Sequence, residues 1–189
     1  MKSISQFIRL GTMLCVFATT AGAKTLDDAA TVYFESGEQI MKMINSDSVD
    51  VKEVEKLVLE MTKQSVFIAQ AYGNKFSEGK QMLDIILGQA AKLSDNQVVG
   101  FGPMASLDFE TIEGNWHDMG FVETTDVGID MDDEDNEHFT DPAHVVIHPI
   151  MTYVAAVEGQ KSGKDRRDDM KAELQEGIEQ LELLLPSIK

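Results

Sequence analysis

The sequence predicts an all-α protein: an antiparallel, up-down four-helix bundle with one extra short helix and a long acidic loop before the last pair of helices. Three observations lead to this prediction. Apolar side chains recur at the 3.6-residue helical period in several segments, short turn signals separate the first segments, and no segment shows sustained strand alternation. We expect residues 1–23 to be cleaved off and residues 24–189 to form a single helical-bundle domain.

The chain begins with the features of a secretory signal peptide. Lys2 and Arg9 give a positive start, an apolar run follows to about Phe17, and residues 21–23 have the small-x-small form of a cleavage site. The apolar run is too short to span a bilayer. We therefore expect export, to the periplasm of a Gram-negative bacterium. Because the only cysteine, Cys15, would leave with the peptide, no disulfide is expected.

The first three helices are predicted from their start signals and apolar stripes. The first runs over residues 26–44, with two acids in its opening turn, and Asp50 is placed to cap the second. A third is predicted to be capped by Ser77 and to continue to Leu93. The second has the most regular stripe, which consists of Val54, Leu57, Val58, Met61, Ser65 and Ile68.

A short helix, capped by Ser106 or Asp108, is predicted to lead towards Trp116. A polar, acidic connection then spans residues 120–140. A connection of this length inside a compact domain is uncommon and is often functional.

The last two helices each contain a residue that a regular helix disfavours. Asp141 and the proline after it form a strong helix start, and the helix is predicted to run to about residue 158 with a kink at Pro149. The final helix is expected from about Lys164 until Pro186 ends it. Gly177 weakens that helix by about 1 kcal/mol relative to alanine, but it would let a neighbouring helix approach closely.

Charge is distributed unevenly along the chain. The formal net charge is −17, and the 68 residues from Leu93 to Gln160 contain no Lys or Arg, 15 acids and all four histidines. An anionic surface repels nucleic acid and anionic membranes, so neither is an expected partner. The segment instead suits a metal ion, a proton or a basic protein.

The histidines suggest a divalent-cation site. His144 and His148 are four residues apart, which on a helix puts both imidazoles on one face, as a pair of metal ligands requires. Such a donor set suits a divalent transition metal as a cofactor. The candidate ligands are His144, His148, His138, His117, Glu137 and Asp141.

Several functions stay open at this point. The first is an exported binding protein with a divalent-cation site. The second is an acidic periplasmic interaction protein without metal, whose loop docks a basic partner. The third is a pH-responsive helical domain, because histidine titrates near pH ~6.5 and nearby carboxylates favour its charged form. Enzyme activity is the less expected outcome, since the sequence has no recognisable catalytic fingerprint and predicts no catalytic residue.

Overall fold

The computed structural model describes residues 25–46, 48–77, 80, 83–84, 108–110 and 141–189. This part of the chain contains no strand. Its four long helices are α1 (Leu26–Asn45), α2 (Val51–Lys75), α3 (Asp141–Ser162) and α4 (Arg167–Ile188). Helix α1 packs on α2 and α4, and α3 packs on the same two helices. For these described residues the prediction of an all-helical fold is therefore confirmed, and the packing is consistent with a bundle.

Side chains close the starts of α1 and α2, and the cap of α2 by Asp50 is the one that the sequence predicts. The Thr25 hydroxyl accepts the Asp28 N–H at 3.1 Å, and the Asp28 carboxylate accepts the Thr25 N–H at 3.1 Å, which makes a capping box. The Thr25 hydroxyl also donates to the Asp28 carboxylate at 2.7 Å, and this bond, together with that from the Thr25 N–H, holds the pKa of Asp28 below its ordinary value. At α2, the carboxylate of Asp50 accepts the N–H groups of Lys52 and Glu53 at 3.0 and 3.4 Å.

Helix α3 is the most deeply buried helix of the bundle. Residues 142–157 are buried with the exception of His144, so α3 has almost no exposed face along four turns. The regular apolar stripe of α2 is also buried, as predicted. Within the described residues, no helix is both long enough and apolar enough to cross a membrane.

Pro149 lies inside α3, and the helix continues through it. Proline has no N–H, so the carbonyl of Val145, four residues earlier, loses its usual helical donor. The hydroxyl of Tyr33 donates to that carbonyl at 3.2 Å from α1. Tyr33 is completely buried, and this burial raises the pKa of its phenol far above the ordinary value, so the phenol keeps its proton. A hydrogen bond from another helix thus offsets the defect that the proline creates.

The turn between α3 and α4 lies slightly later than the sequence predicts. Helix α3 runs on to Ser162 and closes where the N–H of Gly163 donates to the carbonyl of Gly159 at 2.9 Å. Gly163 has a φ of +69°, the left-handed conformation that glycine adopts at a helix end. Helix α4 begins at Arg167, three residues after the predicted start at Lys164.

Pro186 does not end α4, so this prediction was wrong. The helix continues to Ile188, with Pro186 inside its last turn. Proline has a backbone φ compatible with a helix, and it removes only its own N–H donor. Pro186 is exposed, where water can bond to the carbonyl left without that donor.

Several predicted elements lie wholly or partly outside the described residues. The helix that Ser77 is predicted to cap has four described residues, and all are helical: Ser77, Lys80, Leu83 and Asp84. Of the predicted short helix, Phe109 and the residue after it are described and helical. Residues 120–140, the predicted acidic connection, lie outside the described part.

The bond between Tyr33 and Val145 gives a quantitative prediction. Tyr33→Phe should lower the free energy of unfolding by about 1–3 kcal/mol, because a buried carbonyl loses its donor. In a Pro149→Ala background the same change should cost clearly less, since residue 149 then has an N–H that can bond to the Val145 carbonyl. Urea unfolding of the four proteins in this double-mutant cycle measures the difference.

A matched control is Thr31→Ala on the same helix. It also removes one hydroxyl, which bonds to the carbonyl of Asp27 at 2.8 Å in an exposed position. Stability should hardly change there. If Tyr33→Phe lowered the free energy of unfolding equally in both backgrounds, Pro149 would not be the reason why the Val145 carbonyl needs the hydrogen bond from Tyr33.

Candidate functional site

His148 is the residue of α3 that stands directly before Pro149, and it is 1% exposed. Its Nδ1 lies 2.9 Å from Oε2 of Glu173 on α4. An ionised carboxylate can only accept, so with neutral His148 the Nδ1 atom carries the hydrogen and donates it. The side chain of Glu173 is itself only 10% exposed. An imidazole and a carboxylate are therefore paired inside the interface between α3 and α4.

A second carboxylate approaches the other nitrogen of the same ring. Oε2 of Glu176 lies 3.6 Å from Nε2 of His148, and the Glu176 side chain is about half exposed. This distance is too long for a good hydrogen bond, but two opposite charges so separated attract each other. His148 therefore has a carboxylate beside each ring nitrogen. The name His148 cluster is used below for five residues: His148, Glu173, Glu176, His144 and Tyr33.

Gly177 brings the helices of the cluster together. A Cβ atom at this position would lie 2.7 Å from the Tyr33 hydroxyl oxygen and 3.0 Å from Cβ of His148. No real side chain fits at such distances. The sequence-based expectation that Gly177 permits a close helix approach is thus confirmed, and the helices that meet there are α1, α3 and α4.

His144 lies one turn before His148 on the same helix, as the spacing predicts. The two ring centroids are 5.5 Å apart and the rings are inclined at 60°. His144 is partly exposed, whereas His148 is buried. The sequence therefore predicted correctly that the two imidazoles share one face.

Of the other predicted metal ligands, only Asp141 lies within the described residues. Asp141 is the first residue of α3 and is partly exposed. His138, His117 and Glu137 lie outside the described residues. Across the part of the chain that is described, no three His, Cys, Asp or Glu side chains are grouped closely enough to hold a metal ion. The metal site remains a prediction.

Sequence reasoning missed both carboxylates of the cluster and the phenol. Glu173 follows Met170 by three residues and precedes Gly177 by four, so it shares the buried face of α4 with them. An acid at a core position signals a buried partner, because an unpaired buried charge is costly. That signal could have identified Glu173. Nothing in the sequence pattern could have paired Tyr33 with a carbonyl more than a hundred residues away.

The chemistry that this arrangement can perform is proton uptake. With neutral His148 and ionised Glu173, the interface contains one buried negative charge. One added proton makes the pair neutral overall, whichever of the two groups carries it. Burial therefore favours uptake of one proton by the pair, although it would oppose a charge on an isolated buried histidine.

Comparisons with known proteins do not extend this description: no protein-family model, no curated protein and no solved structure matches the chain.

Gly177 and Gly37 both face side chains of other helices, and they predict opposite effects of an added methyl group. Gly177→Ala should destabilise the protein by about 1–3 kcal/mol, because the new Cβ meets atoms of Tyr33 and His148 that packing holds in place. Gly37→Ala is the matched control. Its Cβ would meet the end of the flexible Ile178 side chain at 3.2 Å, so the substitution should be neutral or stabilising. Urea unfolding compares the two, and an equal effect of both substitutions would contradict the close approach at Gly177.

Proposed function

We propose that this protein is an exported, pH-responsive helical-bundle domain, in which proton uptake by the buried pair of His148 and Glu173 strengthens the packing of α3 on α4. The observation that carries the proposal is the 2.9 Å contact between two ionisable side chains that are both nearly excluded from water. At neutral pH such a pair can gain a proton and become neutral, which the interior of a protein favours.

The groups around His148 favour its protonated form. On α4, Glu176 adds a second carboxylate 3.6 Å from Nε2. On α3, the neighbouring titratable side chain of the cluster is His144, and on α1 the phenol of Tyr33 stays un-ionised. The ion pairs on α2, between Lys56 and Glu53 and between Lys63 and Glu60, have exposed side chains.

The charge of the whole chain acts in the same direction. With a formal net charge of −17, the molecule attracts protons to every ionisable site through its summed field. His148 also belongs to the half of α3 that follows the acidic segment in sequence. A change in the packing of this half therefore affects the start of α3. We propose that this start is the region whose structure changes when the pair takes up a proton.

We also propose two features of the fold. The bundle has the up-down arrangement, which is supported by the short turns between α1 and α2 and between α3 and α4. An extra short helix begins at about Asp108, which is supported by the helical conformation of Phe109.

The proposed export rests on the first 23 residues, and a direct measurement tests it. When the full chain is expressed in a Gram-negative bacterium, we expect the protein in the periplasmic fraction with Lys24 as its first residue. Mass spectrometry determines this start. An uncleaved chain in the cytoplasm would contradict export.

The pH response is tested by comparing wild type with His148→Gln. A group that is protonated more readily in the folded state stabilises it at low pH, and this contribution is lost as the pH rises. Between about pH 8 and pH 6, wild type should gain about 1 kcal/mol of unfolding free energy relative to His148→Gln, because a proton bound in the folded state but not in the unfolded state contributes about 1.4 kcal/mol per pH unit. Urea unfolding at several pH values measures this gain.

Two substitutions on α4 make the test specific. Glu173→Gln keeps an acceptor for Nδ1 but removes the carboxylate, so the gain on acidification should largely disappear. Glu179→Gln changes the charge equally at an exposed position of the same helix, and the gain should remain. Parallel pH curves for wild type and His148→Gln would refute the proposal.

The same experiment also tests the divalent-cation site that the sequence predicts. All measurements are made with a chelator present, and they are repeated with Zn²⁺ or Ni²⁺ in place of it. A pH response that persists in chelator supports proton uptake. A response that requires added metal would replace the proposal with the cation-binding function.

A further inference from the structure

Three segments of the chain meet around the side chain of Arg166, at the end of the bundle where α3 turns into α4. Arg166 is 8% exposed. Its guanidinium pairs with Glu158, near the end of α3, at 2.7 Å and with Asp169, in the first turn of α4, at 3.1 Å. The third segment consists of residues 108–110, which do not belong to the four long helices.

Phe109 docks this third segment on the bundle. Its N–H donates to Oε1 of Glu158 at 2.6 Å, while Oε2 of the same carboxylate pairs with Arg166. The Cζ atom of Arg166 lies 4.8 Å from the centre of the Phe109 ring, which is a cation–π arrangement. Phe109 is 6% exposed, whereas the side chain of Glu110 is largely exposed and its Oε1 lies 3.9 Å from Nη1 of Arg166. The ring and the N–H of one residue are therefore central to this docking.

The docked state contains a buried donor that is not satisfied. The Nε–H of Arg166 is closed off from water and has no hydrogen-bond acceptor in the described part of the chain. A buried N–H without an acceptor is costly, and this cost disappears when water reaches the group. Docking thus combines the favourable burial of Phe109 with an unfavourable environment for the guanidinium.

The four long helices do not need the docked segment to neutralise their own charges. If Phe109 leaves, Arg166 keeps its ion pairs with Glu158 and Asp169, so this buried charge keeps its partners. Helices α3 and α4 also keep the contact that they make with each other along their length. A segment that is joined to a core by few contacts can open locally, without global unfolding.

We propose that residues 108–110 form a reversible latch, in which Phe109 undocks from Arg166 and Glu158 while the four long helices stay folded. Undocking admits water to the guanidinium and exposes an aromatic side chain that has an acid on either side of it in the sequence. The latch is separate from the proton uptake proposed above, because His148 lies about 15 Å from Glu158 along α3.

Hydrogen exchange of the full-length protein, followed by nuclear magnetic resonance, measures the latch at the N–H of Phe109. We expect this N–H to be protected in wild type, but to exchange at least about tenfold faster than the slowest N–H groups of α3. Low concentrations of urea should hardly change its exchange, because local opening exposes little surface. The N–H groups of α3 should exchange faster as urea is added.

Two substitutions and a matched control test the contacts of the latch. Phe109→Leu keeps an apolar side chain and the N–H but removes the face of the ring, so protection at position 109 should fall roughly threefold to tenfold. Arg166→Lys keeps the charge but removes the planar fork that holds Glu158, so protection there should also fall. Glu110→Gln changes the charge of the same segment at an exposed position, and protection at Phe109 should stay as in wild type.

Three results would overturn the proposal. The first is an N–H of Phe109 that exchanges as slowly as the slowest ones of α3, with the same dependence on urea, because the segment would then undock only when the bundle unfolds. The second is an unprotected N–H in wild type, which would mean that the segment is not docked. The third is an equal loss of protection in Phe109→Leu and Glu110→Gln, which would remove the specific role of the ring.

Discussion

The packing of this protein depends on one missing hydrogen-bond donor in its most buried helix. Pro149 leaves the carbonyl of Val145 without an N–H partner, in a part of α3 that water does not reach. Tyr33 supplies the donor from α1. Its hydroxyl then occupies the space where α4 must pass, so α4 carries Gly177 at the contact. The close approach of α4 in turn brings Glu173 to the ring of His148.

This chain of contacts explains why an ionisable pair lies in the core. A buried imidazole and a buried carboxylate are expensive unless each satisfies the other, and replacing such a pair by apolar residues often stabilises a protein. A role that needs the pair to exchange a proton gives a physical reason for its presence. The acidic composition of the chain makes the same exchange easier, because a negative field favours proton uptake.

Local signals in the sequence were sufficient to predict the four long helices of the described residues but not the site. Asp50 as a cap, the buried stripe of α2 and the small residue at Gly177 follow from rules about single helices, and the structure confirms them. The partners of His148 depend on how two helices are rotated relative to each other, which periodicity does not determine. Glu173 was recognisable as an acid on an apolar face, but its partner was not. The error at Pro186 arose because proline at an exposed last turn removes only one bond.

Nuclear magnetic resonance of the protein with ¹⁵N-labelled histidine tests the central claim most directly, because it shows which ring nitrogens of His148 carry a proton. In the folded state near pH ~8, only Nδ1 should be protonated, and on acidification towards pH ~6 the Nε2 of His148 should gain a proton while the fold stays intact. His148→Gln assigns the signal. If His148 keeps a single proton until the protein unfolds, and Glu173 does not gain one instead, the account is contradicted.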